Sequence, residues 1–128
     1  MARILVVDDQ PLVRVVLRRL LEFAGHDVLE AVDGVEGANL FRRQPCDLVL
    51  CDLYMPRESG LRTIRRLCRE FPGIRVVAMT GGSFDQEQDV FADALGVGAA
   101  AFLRKPFRVE ALMGLVGEVL AMSVPQGP

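Results

Sequence analysis

The chain has 128 residues, of which 51% are hydrophobic and 25% are charged, and its formal net charge is -2. This composition is typical of one compact domain and excludes a disordered or strongly basic chain, so bulk charge gives no basis for nucleic-acid binding. No apolar run approaches the ~20 residues of a membrane span, and the N-terminus lacks a signal-peptide pattern, so we expect a cytoplasmic protein without a membrane partner.

Five short apolar segments alternate with five helical patterns along the chain. The predicted strands are residues 4–7, 28–32, 48–51, 75–80 and 99–103. The apolar residues of the first helix recur at helical spacing and are Val13, Val16, Leu17, Leu20 and Leu21. The second helix carries Val35, Ala38 and Phe41. The third carries Leu61, Ile64, Leu67, Cys68 and Phe71.

This alternation predicts an α/β fold, a doubly wound parallel five-stranded sheet with helices on both faces. Among doubly wound folds, the flavodoxin-like (βα)5 arrangement with strand order 2-1-3-4-5 best suits five βα units. We expect a single domain over residues 1–122, followed by a short C-terminal tail at 123–128.

Cysteine and histidine offer little chemistry in this chain. Cys46, Cys51 and Cys68 share no metal-ligand spacing, and His26 is the only histidine. Zinc sites and Cys/His nucleophiles are therefore disfavoured. We interpret Cys51 and Cys68 as small hydrophobic residues and His26 as a loop residue.

Polar residues stand at the carboxyl ends of four of the predicted strands. They are Asp8 and Asp9, Asp52, Thr80, and Lys105. The carboxyl ends of parallel strands meet at one edge of a sheet, where ligands bind in such folds. Three carboxylates at this edge would repel one another by about 4 kcal/mol for each close pair unless a cation lies between them. Oxygen ligands alone favour Mg²⁺ over zinc.

A magnesium-bound carboxylate, a lysine and a hydroxyl are together the groups that phosphoryl transfer requires. Asp52 stands at the end of the apolar run that starts at Leu48. Such an unbroken run is typical of a strand buried on both faces. Asp52 is therefore the expected acceptor of the phosphoryl group.

Four segments of the sequence resemble the receiver domain of bacterial two-component response regulators, and the resemblance covers nearly the whole chain. The segments are Ile4 to Asp9, Leu48 to Gly60, Met79 to Gly81 and Ala99 to Phe107. The resemblance implies that Asp52 takes a phosphoryl group from a phosphohistidine on a sensor histidine kinase or phosphotransfer protein. It implies a self-catalysed phosphoacceptor that dephosphorylates itself, not a turnover enzyme.

The resemblance also assigns the metal ligands. Asp9, Asp52 and the backbone carbonyl of Tyr54 would ligate Mg²⁺, and Asp8 would act mainly through a bound water. The side chain of Tyr54 stands at a variable position of the family, and we hypothesise that it screens the phosphorylated site from water.

Phosphorylation would be read through a switch at the neighbouring strand ends. Lys105 would pair with Asp52 at rest and with a phosphoryl oxygen afterwards, and its peptide bond to Pro106 would be cis. Thr80 would turn to hydrogen-bond the phosphoryl group, and Phe102 occupies the aromatic switch position. The output surface would be the fourth helix, fifth strand and fifth helix, which would bind a downstream protein or form a homodimer, without nucleic-acid binding by this domain itself.

Arginines form a stripe on each of two helices. They are Arg14, Arg18 and Arg19 on the first helix and Arg62, Arg65, Arg66 and Arg69 on the third. We interpret both stripes as solvated faces, because no aromatic residues interleave with them as in nucleic-acid platforms. The family resemblance also makes the first helix the docking site of the kinase.

Three other functions are compatible with parts of the pattern. A degenerate receiver would bind partners without phosphorylation, but none of the acidic, threonine and lysine positions is missing. A phosphatase or transferase of the haloacid-dehalogenase type would have a second carboxylate at position 54, where this chain has Tyr54. A flavin or nucleotide binder would need a Ser/Thr/Gly-rich loop in place of Asp8 and Asp9.

Overall fold

A computed structural model describes residues 1–55, 58–81 and 92–122 of the chain. Its five strands are β1 (Arg3–Val7), β2 (Asp27–Ala31), β3 (Leu48–Asp52), β4 (Val76–Thr80) and β5 (Ala101–Arg104). All neighbouring pairs are parallel, and the order is β2-β1-β3-β4-β5. The predicted fold class and strand order are thus confirmed. The predicted tail at 123–128 lies outside the described residues.

Helices follow the strands in sequence. They are α1 (Pro11–Phe23), α2 (Gly34–Arg43), α3 (Gly60–Glu70), α4, of which residues 92–96 are described, and α5 (Val109–Ala121). Pro11 opens α1, where its missing N–H is not needed, and the side chain of Asp33 caps α2 by accepting the Glu36 N–H at 2.8 Å. Phe71 lies one residue beyond α3 and forms its C-cap, so its predicted place in the third helix was wrong.

Several predicted strand boundaries were also wrong. β2 begins and ends one residue earlier than 28–32, β4 begins one residue later than predicted, and β5 covers Ala101–Arg104 instead of 99–103. The shift of β5 has a clear cause: the Ala99 N–H donates to the Ala94 carbonyl at 2.9 Å, so it caps the C-terminal end of α4 instead of pairing with β4. Pairing with β4 begins at Ala101, opposite Val77.

Two hydrophobic clusters lie on the two faces of the sheet. Leu48 and Leu50 of β3 point into the cluster that includes α1 and α5, while Val49 and Cys51 point into the cluster that includes α2 and α3. Helices on both faces explain why the strand sequence is apolar without alternation. None of the described helices has the length and apolar character needed to cross a bilayer.

In α1 and α2, two residues expected on buried helix faces are exposed. In α1, Leu17 and Leu21 are fully buried, but Val16 is 42% exposed because it lies about 100° around the helix from Leu17. In α2, Ala38 is buried and Val35 is 55% exposed. The apolar pattern therefore overestimated the width of both buried faces.

Candidate functional site at the carboxyl edge of the sheet

Three aspartates meet where β1 and β3 end. The two strands pair so that Val7 lies opposite Cys51, which brings the residues that follow them side by side. Carboxylate oxygens of Asp8, Asp9 and Asp52 all lie within 4.8 Å of one another. Asp8 and Asp52 are buried and Asp9 is half-buried, so two of these charges are largely removed from water.

Lys105 reaches this cluster from the end of β5. Its Nζ lies 2.8 Å from Oδ2 of Asp8 and 3.4 Å from Oδ2 of Asp52. Both contacts are ion pairs, and the one with Asp8 is shorter than the expected one with Asp52. Its backbone N–H donates to the carbonyl of Thr80 at 2.7 Å, and its peptide bond to Pro106 is cis, the isomer that the resemblance implies.

Thr80 and Phe102 occupy the neighbouring strands. Thr80 is the last residue of β4, is fully buried and lies at the same edge as the aspartates. Phe102 lies in β5 opposite Ala78 and is partly buried against the cluster on the α2 and α3 side. The sheet order therefore brings all the predicted strand-end residues to one edge.

Backbone N–H groups orient two of the carboxylates. The Tyr54 N–H donates to Oδ1 of Asp52 at 3.2 Å, and the Gln10 N–H donates to Oδ1 of Asp8 at 2.9 Å. The side chain of Tyr54 is 44% exposed. Burial raises the pKa of Asp52 and Asp8 adds to this, while Lys105 and the Tyr54 N–H oppose it.

The donor set fits a magnesium ion. Both oxygens of Asp8 already accept hydrogen bonds, one from Gln10 and one from Lys105. Within the described residues, no hydrogen bond or ion pair reaches the carboxylate of Asp9, which leaves its oxygens open toward the cluster. The potential ligands in this cluster are carboxylate oxygens, with no nitrogen or sulfur donor among them, and Mg²⁺ prefers oxygen donors. The carbonyl of Tyr54 as a ligand stays a prediction.

Arg14 is a site residue that the sequence analysis missed. Its Nη1 donates to the backbone carbonyl of Asp8 at 2.7 Å, and its Nε donates to Glu30 at 3.2 Å, so it holds the acidic loop against β2. No local sequence pattern indicated its contact with the Asp8 carbonyl. Its partner Glu30 could be found only from the pairing of β1 with β2.

Gly60 also positions the site. Its N–H donates to the carbonyl of Leu53 at 3.0 Å, and a Cβ at this position would overlap the carbonyl of Asp52. Only glycine allows α3 to begin this close to the end of β3. The close approach could not be foreseen from the sequence, because it depends on the distance between the start of α3 and the end of β3.

The family model of the response regulator receiver domain matches residues 4–117. The chain belongs to this family of receiver domains. Protein PilH of Pseudomonas aeruginosa is 40% identical over 124 residues, which cover 94% of this chain and 99% of PilH. Response regulator MprA of a Mycobacterium species is 38% identical over 127 residues, covering 98% of this chain but 54% of MprA.

Solved structures agree with the assignment. A CheY-like response regulator receiver domain from Methanospirillum hungatei superposes with a TM-score of 0.84 at 27% identity and covers 94% of both chains. Receiver domains bind Mg²⁺ through an acidic pocket and interact with kinases and downstream effectors in two-component signalling. Asp8, Asp9 and Asp52 of this receiver domain form an acidic cluster.

Proposed function

We propose that this receiver domain is a phosphorylation-dependent switch in a cytoplasmic two-component pathway, with Asp52 as the acceptor. One observation carries the proposal: the buried carboxylate of Asp52 lies within 4.8 Å of two further carboxylates and 3.4 Å from the ammonium of Lys105. A carboxylate nucleophile with metal-ligating carboxylates and a lysine ammonium beside it is suited to phosphoryl transfer.

In the proposed reaction, an oxygen of Asp52 attacks the phosphorus of a phosphohistidine on a sensor kinase or phosphotransfer protein. The O–P bond forms, the P–N bond breaks, and its electron pair returns to the imidazole, which takes a proton from water. Asp9, Asp52 and the Tyr54 carbonyl would hold Mg²⁺, with Asp8 acting through water, and the ion would neutralise the oxygens of the transferred group. The receiver domain acts as reactant and catalyst of its own modification and not as a turnover enzyme.

Lys105 would move toward the negative charge of the phosphoryl group on Asp52. Its ammonium now serves two buried carboxylates, and its flexible stem allows it to move to a phosphoryl oxygen. Thr80, at the end of the adjacent strand, would donate its hydroxyl to another phosphoryl oxygen. The movement of Thr80 would be transmitted to Phe102 and to the surface of α4, β5 and α5, which would bind a downstream protein or a second copy.

The surface beside the site supports docking of a phosphodonor protein. Exposed apolar side chains of α1 lie here, with Leu12 75% exposed and Val16 42% exposed. Both line an open groove of about 470 Å³ together with Lys105, Pro106 and Phe107. An apolar groove next to a charged reaction centre would bind a partner and position its histidine near Asp52.

Incubation with acetyl phosphate and MgCl₂, followed by intact-mass measurement, tests the proposal. We expect an acid-stable, base-labile increase of one phosphoryl group in the wild-type protein and its loss in Asp52→Asn. An adduct retained in Asp52→Asn would place the acceptor elsewhere. A folded wild-type protein without an adduct would favour a degenerate receiver that binds partners independently of phosphorylation.

A further inference from the structure

Positive charge is concentrated on the outer side of α3, on the sheet face opposite α1. Five arginines and Glu70 line an open groove of about 580 Å³. The arginines are Arg42 of α2 and Arg62, Arg65, Arg66 and Arg69 of α3. We refer to this surface as the arginine groove. It contains five of the 15 basic residues of a chain whose net charge is -2.

The four arginines of α3 share one helix face. Residues three, four and seven positions apart on a helix lie on the same side, so the stripe from Arg62 to Arg69 extends about 10 Å along the axis. The opposite side of α3 contributes its core residues, of which Thr63, Ile64 and Leu67 are fully buried. Packing of α3 therefore does not require the arginines.

Two of the five arginines are neutralised within the chain. Arg42 makes a two-point contact with Glu70, at 2.7 Å from Nε to Oε1 and 2.9 Å from Nη2 to Oε2. Nη2 of Arg66 donates to Oε1 of Glu58 at 2.6 Å. These contacts show that carboxylates fit the guanidinium groups of this surface.

The other three arginines have no such partner among the described residues. Across the described parts of the chain, no carboxylate forms an ion pair with Arg62, Arg65 or Arg69. Asp93 of α4 lines the adjoining groove with Arg62 and Arg65, but makes no ion pair with either. Like charges four residues apart, such as those of Arg65 and Arg69, oppose helix formation. An external anion would remove this repulsion.

We propose that the arginine groove is a docking surface for an acidic segment of a partner protein, whose carboxylates pair with Arg62, Arg65 and Arg69. The carboxylate contacts already present favour this partner. Among the described residues, no aromatic side chain lines the groove, whereas surfaces for single-stranded nucleic acid use aromatic rings to stack bases. The groove lies across the sheet from the apolar groove on α1, so both surfaces can be occupied together.

Fluorescence anisotropy with a labelled oligoglutamate of about ten residues tests the proposal on the full chain. We expect saturable binding that weakens as salt is added, because exposed ion pairs are screened. The triple variant Arg62→Gln, Arg65→Gln and Arg69→Gln should bind at least about tenfold more weakly, because all three uncompensated charges are lost.

A matched control variant removes the same number of positive charges from surfaces outside the arginine groove. The variant Arg19→Gln, Arg43→Gln and Arg108→Gln loses three exposed arginines outside the groove and should keep wild-type affinity. Equal weakening in the control, or no saturable binding to the wild-type protein, would overturn the proposal. An oligothymidylate of equal charge provides a further comparison. If it bound more tightly than the oligoglutamate, and if the groove variant lost this binding too, the surface would be one for nucleic acid and the assignment to an acidic protein segment would be overturned.

Thermal melting separates binding from folding. The groove variant should melt at or above the wild-type temperature, because like-charge repulsion on α3 is reduced. If it did not fold, the single variant Arg65→Gln would replace it, with an expected loss of about twofold in affinity. A folded Arg65→Gln protein with unchanged affinity would then contradict the proposal.

Discussion

Asp52 is a charged residue in a place where charge is costly. It is only 4% exposed. Burial raises its pKa, and Asp8 reinforces this effect against the opposing influence of Lys105 and the Tyr54 N–H. A raised pKa means that the folded chain binds this proton more tightly than the unfolded chain does, so the ionised carboxylate lowers the stability of the protein at neutral pH. A single ammonium serves both buried carboxylates.

We therefore expect Asp52→Asn to stabilise the protein in magnesium-free buffer at neutral pH. The amide keeps the oxygen that accepts the Tyr54 N–H, removes the buried charge and leaves Lys105 paired with Asp8. The free energy of unfolding should rise by about 1 kcal/mol, or a few degrees in Tm. Urea unfolding measures the change.

Lys105→Ala provides the opposite control for this prediction. It leaves Asp8 and Asp52 without their shared cation and should lower the free energy of unfolding by about 3 kcal/mol. If Asp52→Asn instead destabilised the protein, the ionised carboxylate of Asp52 would stabilise the fold. That result would contradict the raised pKa of this group.

At the scale of elements, the start of α3 depends on one glycine. The side chain of Ser59 caps the helix by accepting the Arg62 N–H at 3.3 Å. Gly60 then brings the first turn against the end of β3, where a Cβ would overlap the carbonyl of Asp52. The obstacle is backbone and not a flexible side chain, so relief requires the helix or the strand end to move.

We expect Gly60→Ala to lower the free energy of unfolding by about 3 kcal/mol, because the helix must shift away from the strand. Labelling by acetyl phosphate should fall as well, since the displaced strand end carries Asp52. Gly117→Ala is the matched control, because a Cβ there meets no atom within 4 Å and the residue is exposed in α5. Its stability should rise by roughly 0.5–1 kcal/mol. Equal stability of the two variants would contradict the proposed clash.

At the scale of the whole molecule, the acidic edge joins distant parts of the chain. Asp8 and Asp9 follow β1, Asp52 ends β3, and Lys105 comes from beyond β5. These strands also separate the two hydrophobic clusters. An ion that binds only to the folded arrangement will therefore stabilise the entire sheet, because unfolding must release it.

Added MgCl₂ should raise the free energy of unfolding of the wild-type protein, by about 2.7 kcal/mol at a hundredfold excess over Kd. Asp9→Asn should reduce this gain, since the carboxylate of Asp9 has no other partner in the described parts of the chain. Urea unfolding at equal ionic strength, with NaCl as the reference salt, measures the effect. An identical gain with NaCl, or in Asp9→Asn, would show that the stabilisation is not due to this site.

Most of the candidate site was predictable because the end of a strand can be recognised from a few neighbouring residues in the sequence. Asp8, Asp52 and Lys105 each follow an apolar run, and parallel strands bring such positions to one edge. Arg14 and Gly60 were not predictable in these roles. Their importance depends on a side-chain contact with another strand and on the distance between a helix and a strand end.

The sequence by itself determined the alternation of strands and helices, the family and the polar residues at the strand ends. These follow from apolar runs, helical periodicity and short motifs, which are properties of neighbouring residues. Only the tertiary structure decided that Lys105 lies nearer to Asp8 than to Asp52, that Val16 is exposed and that three arginines of α3 have no carboxylate partner among the described residues. Each of these depends on contacts between segments far apart in the chain, which local patterns do not specify.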